Sequence, residues 1–135
     1  LSHGTVGCVV RDGEGRLAAA TSTGGVFNKR LGRVGDTPIP GAGTWADDTV
    51  AVSCTGLGEY FIRTVAAAQV SFRMKLAGQD LAAATQGVLD DIRSLGGDGG
   101  LIAVTADGRI VTPYNSKGMK RAVLTADGEI RSEVF

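Results

Sequence analysis

Three Asp-Gly pairs, each set between short apolar runs, constrain this chain more than any other feature. Asp12-Gly13 separates Val9-Val10 from Leu17-Ala18-Ala19-Ala20, and Asp107-Gly108 separates Leu101-Ile102-Ala103-Val104 from Ile110-Val111. Asp127-Gly128 separates Ala122-Val123-Leu124 from Ile130. Both residues tolerate the positive φ of a tight turn, so the pattern predicts three antiparallel hairpins. Two helix signals lie between them. The first runs from Glu59 to about Leu76, with Phe61, Val65, Ala68, Phe72 and Leu76 at three- and four-residue steps. The second begins at Asp80 as N-cap, carries Leu81, Val88, Ile92 and Leu95 on one stripe, and ends at Gly96-Gly97. The segment from Thr21 to Asp48 is rich in Gly, Pro and polar residues and reads mostly as a loop of functional length. A strand, Val50-Ala51-Val52-Ser53-Cys54, follows it. Helices with one apolar face suit packing on a sheet, which makes the expected fold an α+β layered domain.

Composition narrows the function classes. At 135 residues the chain forms one domain, burying roughly two-thirds of its unfolded surface. Its 14 basic and 14 acidic side chains are balanced and form no basic stripe, which argues against a nucleic-acid partner. No apolar stretch approaches a membrane span, and no charged start followed by an apolar block marks a signal peptide. Cys8 and Cys54 sit in apolar β-like runs and are expected to be buried free thiols, which favours a reducing, cytoplasmic compartment. The one histidine, His3, and the two distant cysteines give no metal-ligand spacing. The chain opens on Leu1, not Met, so the expectation is a fragment or processed product with a partner segment encoded upstream.

Four motifs carry candidate chemistry. Gly4-Thr5-Val6-Gly7 leads the first apolar run. Thr5 reads either as a strand-leading edge residue or as a nucleophile freed by cleavage of the bond before it. Cleavage would give it an α-amine of pKa roughly 7.7–8.0, able to act as its own base. Thr21-Ser22-Thr23-Gly24-Gly25 is either a polar turn or a place where Thr23 hydrogen-bonds that nucleophile. Arg33-Val34-Gly35-Asp36 is either an i,i+3 ion pair or two hooks, Arg33 for a carboxylate and Asp36 for an ammonium. Thr55-Gly56-Leu57-Gly58-Glu59 fails both the dinucleotide and the Walker patterns. It remains a strand-to-helix turn, in which the Thr55 hydroxyl and Gly56 N–H can serve as an oxyanion hole or simply as a helix start. Trp45 reads as loop packing. Gly96 to Gly100 and Pro113 to Met119 read as turn geometry, and His3 and Cys8 as bystanders to the chemistry.

Taken together these motifs, with Asn28-Lys29 and Val52-Ser53-Cys54, resemble the β subunit of the plant-type asparaginase/isoaspartyl aminopeptidase family of N-terminal-nucleophile hydrolases. Gly96-Gly97 through Leu101-Ile102, and Asn115 to Met119, continue the likeness almost to the end. The resemblance implies a four-layer αββα sandwich built from two subunits cut from one precursor. Residues 1–4 would be residual linker and 5–135 the β subunit, with autocleavage between Gly4 and Thr5. Thr5 would be the nucleophile, Thr23 would hold its hydroxyl, and Thr55 and Gly56 would stabilise the oxyanion. Arg33, Asp36, Gly56 and Gly58 would bind substrate, a β-aspartyl dipeptide or L-asparagine. The implied partners are an α subunit and a second αβ unit. No cofactor is required beyond a structural Na⁺ in the α subunit. Phe27 and Leu57 depart from the family pattern at the pocket border, which leaves the leaving group open. A glycosylasparaginase-like amidase, an uncleaved amino-acid binder and an inactive structural subunit are the alternatives.

Overall fold

The computed structural model describes residues 3–135. Leu1 and Ser2, the first half of the expected linker, lie outside the described residues, as does the side chain of His3. Strands β1 (His3–Arg11) and β2 (Leu17–Val26) form an antiparallel hairpin turned by Asp12-Gly13. Strands β3 (Thr44–Ala46), β4 (Val50–Gly56), β5 (Gly99–Thr105) and β6 (Ile110–Val111) make a four-stranded antiparallel sheet in that order. Between β4 and β5 come α1 (Gly58–Thr64), α2 (Ala66–Ala77) and α3 (Leu81–Ser94). A last hairpin pairs β7 (Arg121–Leu124) with β8 (Ile130–Glu133). All three Asp-Gly turns therefore join antiparallel strands, and the chain is α+β.

Strand alternation explains the layering. On β4, Val50, Val52 and Cys54 join Phe61, Val70, Val88, Leu89 and Ile92 from the helices in one core. A fully buried side chain of this size contributes about 1.5–3 kcal/mol. The intervening residue Ser53 faces the β1–β2 hairpin, where its hydroxyl lies 2.7 Å from that of Thr21. Thr44 of β3 donates to the same Thr21 oxygen. The hairpin can settle this closely only because residue 7 has no side chain: a Cβ there would stand 2.1 Å from Ser53 Oγ. Hairpin, sheet and helices thus stack as three layers.

Three expectations require correction. The helix read as continuous from Glu59 to Leu76 is two helices, broken at Val65, which adopts φ 50°. The break turns the first N–H groups of α2 outward from the ladder, so that Ala67 donates to Ala42 O at 3.1 Å and Ala68 to Gly41 O at 2.9 Å. It also rotates the stripe: Phe61 and Ala68 are buried, whereas Val65, Phe72 and Leu76 are exposed. The segment 21–48 is less loop than expected, since it completes β2 and contributes β3 with Trp45. Cys54 is buried, but Cys8 is exposed, because it lies on the face of the hairpin turned away from the sheet. The N-cap at Asp80 stands as read, its carboxylate accepting from Ala83 N at 2.7 Å.

Candidate active site

The site begins at an irregularity in the first hairpin. Thr5 pairs with Thr23 across the ladder and His3 pairs with Val26, so β2 carries one extra residue opposite Gly4. The extra residue makes a bulge at Gly24-Gly25, with Gly25 in the left-handed region at φ 76°. That conformation aims the Gly25 N–H at the Thr23 hydroxyl, 3.0 Å away.

Hydrogen-bond geometry then fixes the protons. Thr23 Oγ1 lies 3.0 Å from the carbonyl oxygen of Gly4, which can only accept, so Thr23 is the donor. A hydroxyl has one proton. Thr5 Oγ1, 3.1 Å from Thr23 Oγ1, must therefore donate to it. The Thr23 oxygen accepts from Thr5 and Gly25 and gives its own proton to the carbonyl immediately before Thr5. Thr5 keeps its lone pairs unengaged in this arrangement.

Strand geometry brings the other candidates to the same end of the molecule. Thr21 meets Ser53 between the layers. One two-residue step further on are Thr23 along β2 and Thr55 along β4, each about 6.7 Å onward. The two strands run the same way, because Val26 beyond the one and Leu57 beyond the other line a common cleft of about 510 Å³. Thr55 and Gly56 end β4, paired with Gly100 and Gly99 of β5. The turn is followed by an α1 of only seven residues, with Leu57 as an N-cap that makes no side-chain bond.

Asp36 sits deep, 6 % exposed, with Oδ2 buried and unpaired. Burial pushes its carboxyl above the ordinary value, and backbone N–H groups and the nearby Arg33 charge offset this only in part. Gly58 packs directly on it, since a Cβ there would fall 2.7 Å from Asp36 Oδ1. The i,i+3 ion pair with Arg33, one of the two readings of this motif, is not formed among the described residues. Arg33 instead makes a two-point salt bridge to Glu59, which sequence reasoning had placed only at the helix start. The hydrogen bonds between them raise the pKa of Arg33 and lower that of Glu59.

The remaining motifs are structural. Asn115 accepts from Gly99 N at 2.8 Å and donates to Leu89 O at 3.2 Å, pinning the loop after β6 to β5 and α3. Trp45 packs edge-on against Phe72 at 6.2 Å. Phe27 is exposed, and Leu57 lines the cleft. Among the described residues, no group of three or more His, Cys, Asp or Glu side chains is placed to hold a metal. No helix there is long and apolar enough to cross a membrane.

Thr5, Thr23 and Gly25 thus hydrogen-bond around one peptide bond, with the Arg33 guanidinium close to Gly25 and the buried Asp36 carboxylate against Gly58. A family model described as Asparaginase matches residues 1–133, and the chain belongs to that asparaginase family. It is 55 % identical over 121 residues to the isoaspartyl peptidase of Salmonella typhimurium, a match covering 88 % of this chain and 39 % of the relative. The isoaspartyl peptidase of Escherichia coli is 52 % identical over 121 residues, covering 88 % and 38 % respectively. A probable isoaspartyl peptidase/L-asparaginase 2 of Arabidopsis thaliana is 50 % identical over 124 residues, covering 92 % and 38 %. The chain spans about two-fifths of the length of these curated relatives.

Proposed function

We propose that this chain is the nucleophile-bearing part of a self-processing threonine amidohydrolase that cleaves β-aspartyl dipeptides and L-asparagine. The observation that carries this reading is the Thr23 hydroxyl, held between the Thr5 hydroxyl at 3.1 Å and the Gly4 carbonyl at 3.0 Å. In processing, Thr5 Oγ attacks the Gly4 carbonyl carbon and passes its proton to Thr23, which gives its own to the carbonyl oxygen, from where it goes on to the amide nitrogen. Thr23 stabilises the negative charge growing on the carbonyl oxygen. The Gly4–Thr5 C–N bond breaks as the amide nitrogen takes up a proton, leaving Gly4 esterified to Thr5 Oγ. Water hydrolyses the ester and frees the α-amine.

In turnover the free amine takes the Thr5 hydroxyl proton while Oγ attacks the β-carbonyl of the substrate. Thr55 and Gly56 face the developing oxyanion. Removing one such donor typically costs about 2.7–4 kcal/mol in the transition state. Arg33 holds the substrate α-carboxylate, and Asp36, backed by Gly58, holds the α-ammonium. Isoaspartate inside a longer peptide lacks the free amine and is refused. The leaving amine departs protonated, and water hydrolyses the aspartyl ester. The names of the relatives, isoaspartyl peptidase and isoaspartyl peptidase/L-asparaginase, support this substrate class.

In this reading a preceding segment supplies the α subunit. Its helices cover the outer face of the hairpin, where Val6 and Val10 are 75 % and 50 % exposed, and complete the αββα sandwich as the fourth layer. Two αβ units then pair. A structural Na⁺ would belong to that segment, and no step is routed through it.

The test uses the protein with its natural flanking sequence. Mass spectrometry should find a chain beginning at Thr5, and both Thr5→Ala and Thr23→Val should remain uncut, with Thr23→Ser cut. The processed protein should hydrolyse β-Asp-Leu, β-Asp-Arg or L-asparagine in preference to glycosylated asparagine. Hydrolysis by a form still joined at Gly4–Thr5 would overturn the mechanism.

A further inference from the structure

Arg33 is the one substrate hook whose orientation depends on another side chain. Its Nε donates to Glu59 Oε1 at 2.8 Å and its Nη2 to Glu59 Oε2 at 3.0 Å. A guanidinium is a rigid planar fork with five N–H groups, and carboxylates grip it along one edge at a time. Glu59 occupies the Nε/Nη2 edge. Of the three N–H groups left, one of Nη1 and the second of Nη2 lie on the adjoining edge.

On the side away from Glu59, Nη1 lies close to Gly25, two residues after Thr23. A Cβ on Gly25 would stand 3.3 Å from Arg33 Nη1, and one on Gly35 would stand 2.9 Å away. Gly25 is the bulge residue whose N–H grips Thr23. The free corner of the guanidinium therefore rests on the same turn of backbone that orders the nucleophile. The Arg33 side chain is 16 % exposed and that of Glu59 48 %, so Glu59 is the more solvent-facing partner of the pair.

From this geometry we propose that Glu59 is a positioning residue: it locks Arg33 so that the free edge meets the α-carboxylate of a β-aspartyl substrate or product. The inference rests on the reading of Arg33 given above. The lock has a cost, since the Glu59 charge partly cancels the attraction of Arg33 for a second carboxylate. Its benefit is directional. Arg33, otherwise free to rotate, is held in the one plane where two parallel hydrogen bonds to the substrate form together with the Asp36 contact.

The two effects predict opposite results, which makes the proposal testable. In the protein with its flanking sequence, Glu59→Gln should weaken L-aspartate binding, measured by calorimetry, about tenfold. It should raise KM for β-Asp-Leu by a similar factor with kcat within twofold. Glu59→Asp should fall between Glu59→Gln and wild type. A substrate with its α-carboxylate converted to a carboxamide should lose this discrimination, binding equally to wild type and Glu59→Gln. A part in folding alone would instead weaken both substrates alike. Unchanged or tighter L-aspartate binding in Glu59→Gln would overturn the lock, as would equal losses with the carboxamide. If Glu59→Gln fails to fold, Glu59→Asp decides: wild-type affinity overturns the proposal. Wild-type protein that binds L-aspartate but hydrolyses nothing sinks the proposed activity alone. Wild-type protein that fails to bind L-aspartate overturns the lock as well.

Discussion

Asp36 holds its buried place at a cost to stability. An unpaired polar atom in a buried place costs about 1–3 kcal/mol, and Asp36 Oδ2 is such an atom. Because burial raises the carboxyl pKa, the folded state holds the ionised form less readily than the unfolded chain does. The sign follows from linkage. The penalty is fully present at pH values above the folded pKa. It fades as the pH falls towards the unfolded value of about 3.9, where the protonated form takes over. Asp36→Asn should therefore raise Tm at pH 7 by a few degrees, with the advantage shrinking towards pH 4, while under the proposed function hydrolysis of β-Asp-Leu is lost. A lower Tm across that range, measured by calorimetric scanning, would contradict the account. At this scale the sequence was informative about residue types and silent about partners. The hydroxyls of Thr5 and Thr23 and the charges of Arg33 and Asp36 could be singled out because their chemistry is local. The bond from Arg33 to Glu59 spans 26 positions and depends on how α1 is aimed, which no local pattern records.

At the scale of elements, the junction of β3, β4 and α2 is organised by Asp47. Its carboxylate accepts from Trp45 Nε1 at 3.0 Å, Ser71 Oγ at 2.5 Å, and the N–H groups of Thr49 and Val50 at 2.8 and 3.1 Å. Burial alone would raise the Asp47 pKa. The donors, Ser71 foremost, more than offset it and hold the carboxyl well below the usual carboxylate range. Here the linkage sign is reversed: the stabilisation is present above the unfolded pKa of about 3.9 and is lost as the pH falls below it. Asp47→Ala should cost about 2–4 kcal/mol at pH 7 by stranding several donors at once. The gap from wild type should narrow in denaturant titrations below pH 4. A constant gap down to pH 2 would count against this role. The hairpins and α3 were legible because turn chemistry and N-cap chemistry lie within a few residues. The Val65 break was not, because the carbonyls of Gly41 and Ala42 that receive the freed N–H groups of α2 belong to a distant loop.

At the scale of the whole molecule, the two cysteines report what the fold covers. Cys54 is buried in the core, and burial raises its thiol pKa well above the ordinary value, with the Asp36 charge adding to the effect. Cys8 is exposed on the outer face of the β1–β2 hairpin, next to the exposed Val6 and Val10. A maleimide should therefore label Cys8 and spare Cys54 in the isolated chain, and label both in denaturant. With the flanking sequence present, Cys8 labelling should slow at least tenfold if a helical layer covers that face, as proposed. Equal rates would leave the face open. Alternation along β1 placed Cys8 in a strand correctly, but it could not say which of two apolar faces meets the rest of this chain.

The bulge at Gly24-Gly25 has a bearing on timing. The Thr23 hydroxyl reaches the Gly4 carbonyl only when two strands have paired with one residue to spare on the second. A nascent or unravelled polypeptide lacks that juxtaposition and so carries no reagent for its own scission. Under the proposed chemistry, cleavage becomes a certificate of correct assembly: each new α-amine marks a molecule that has already reached its native form.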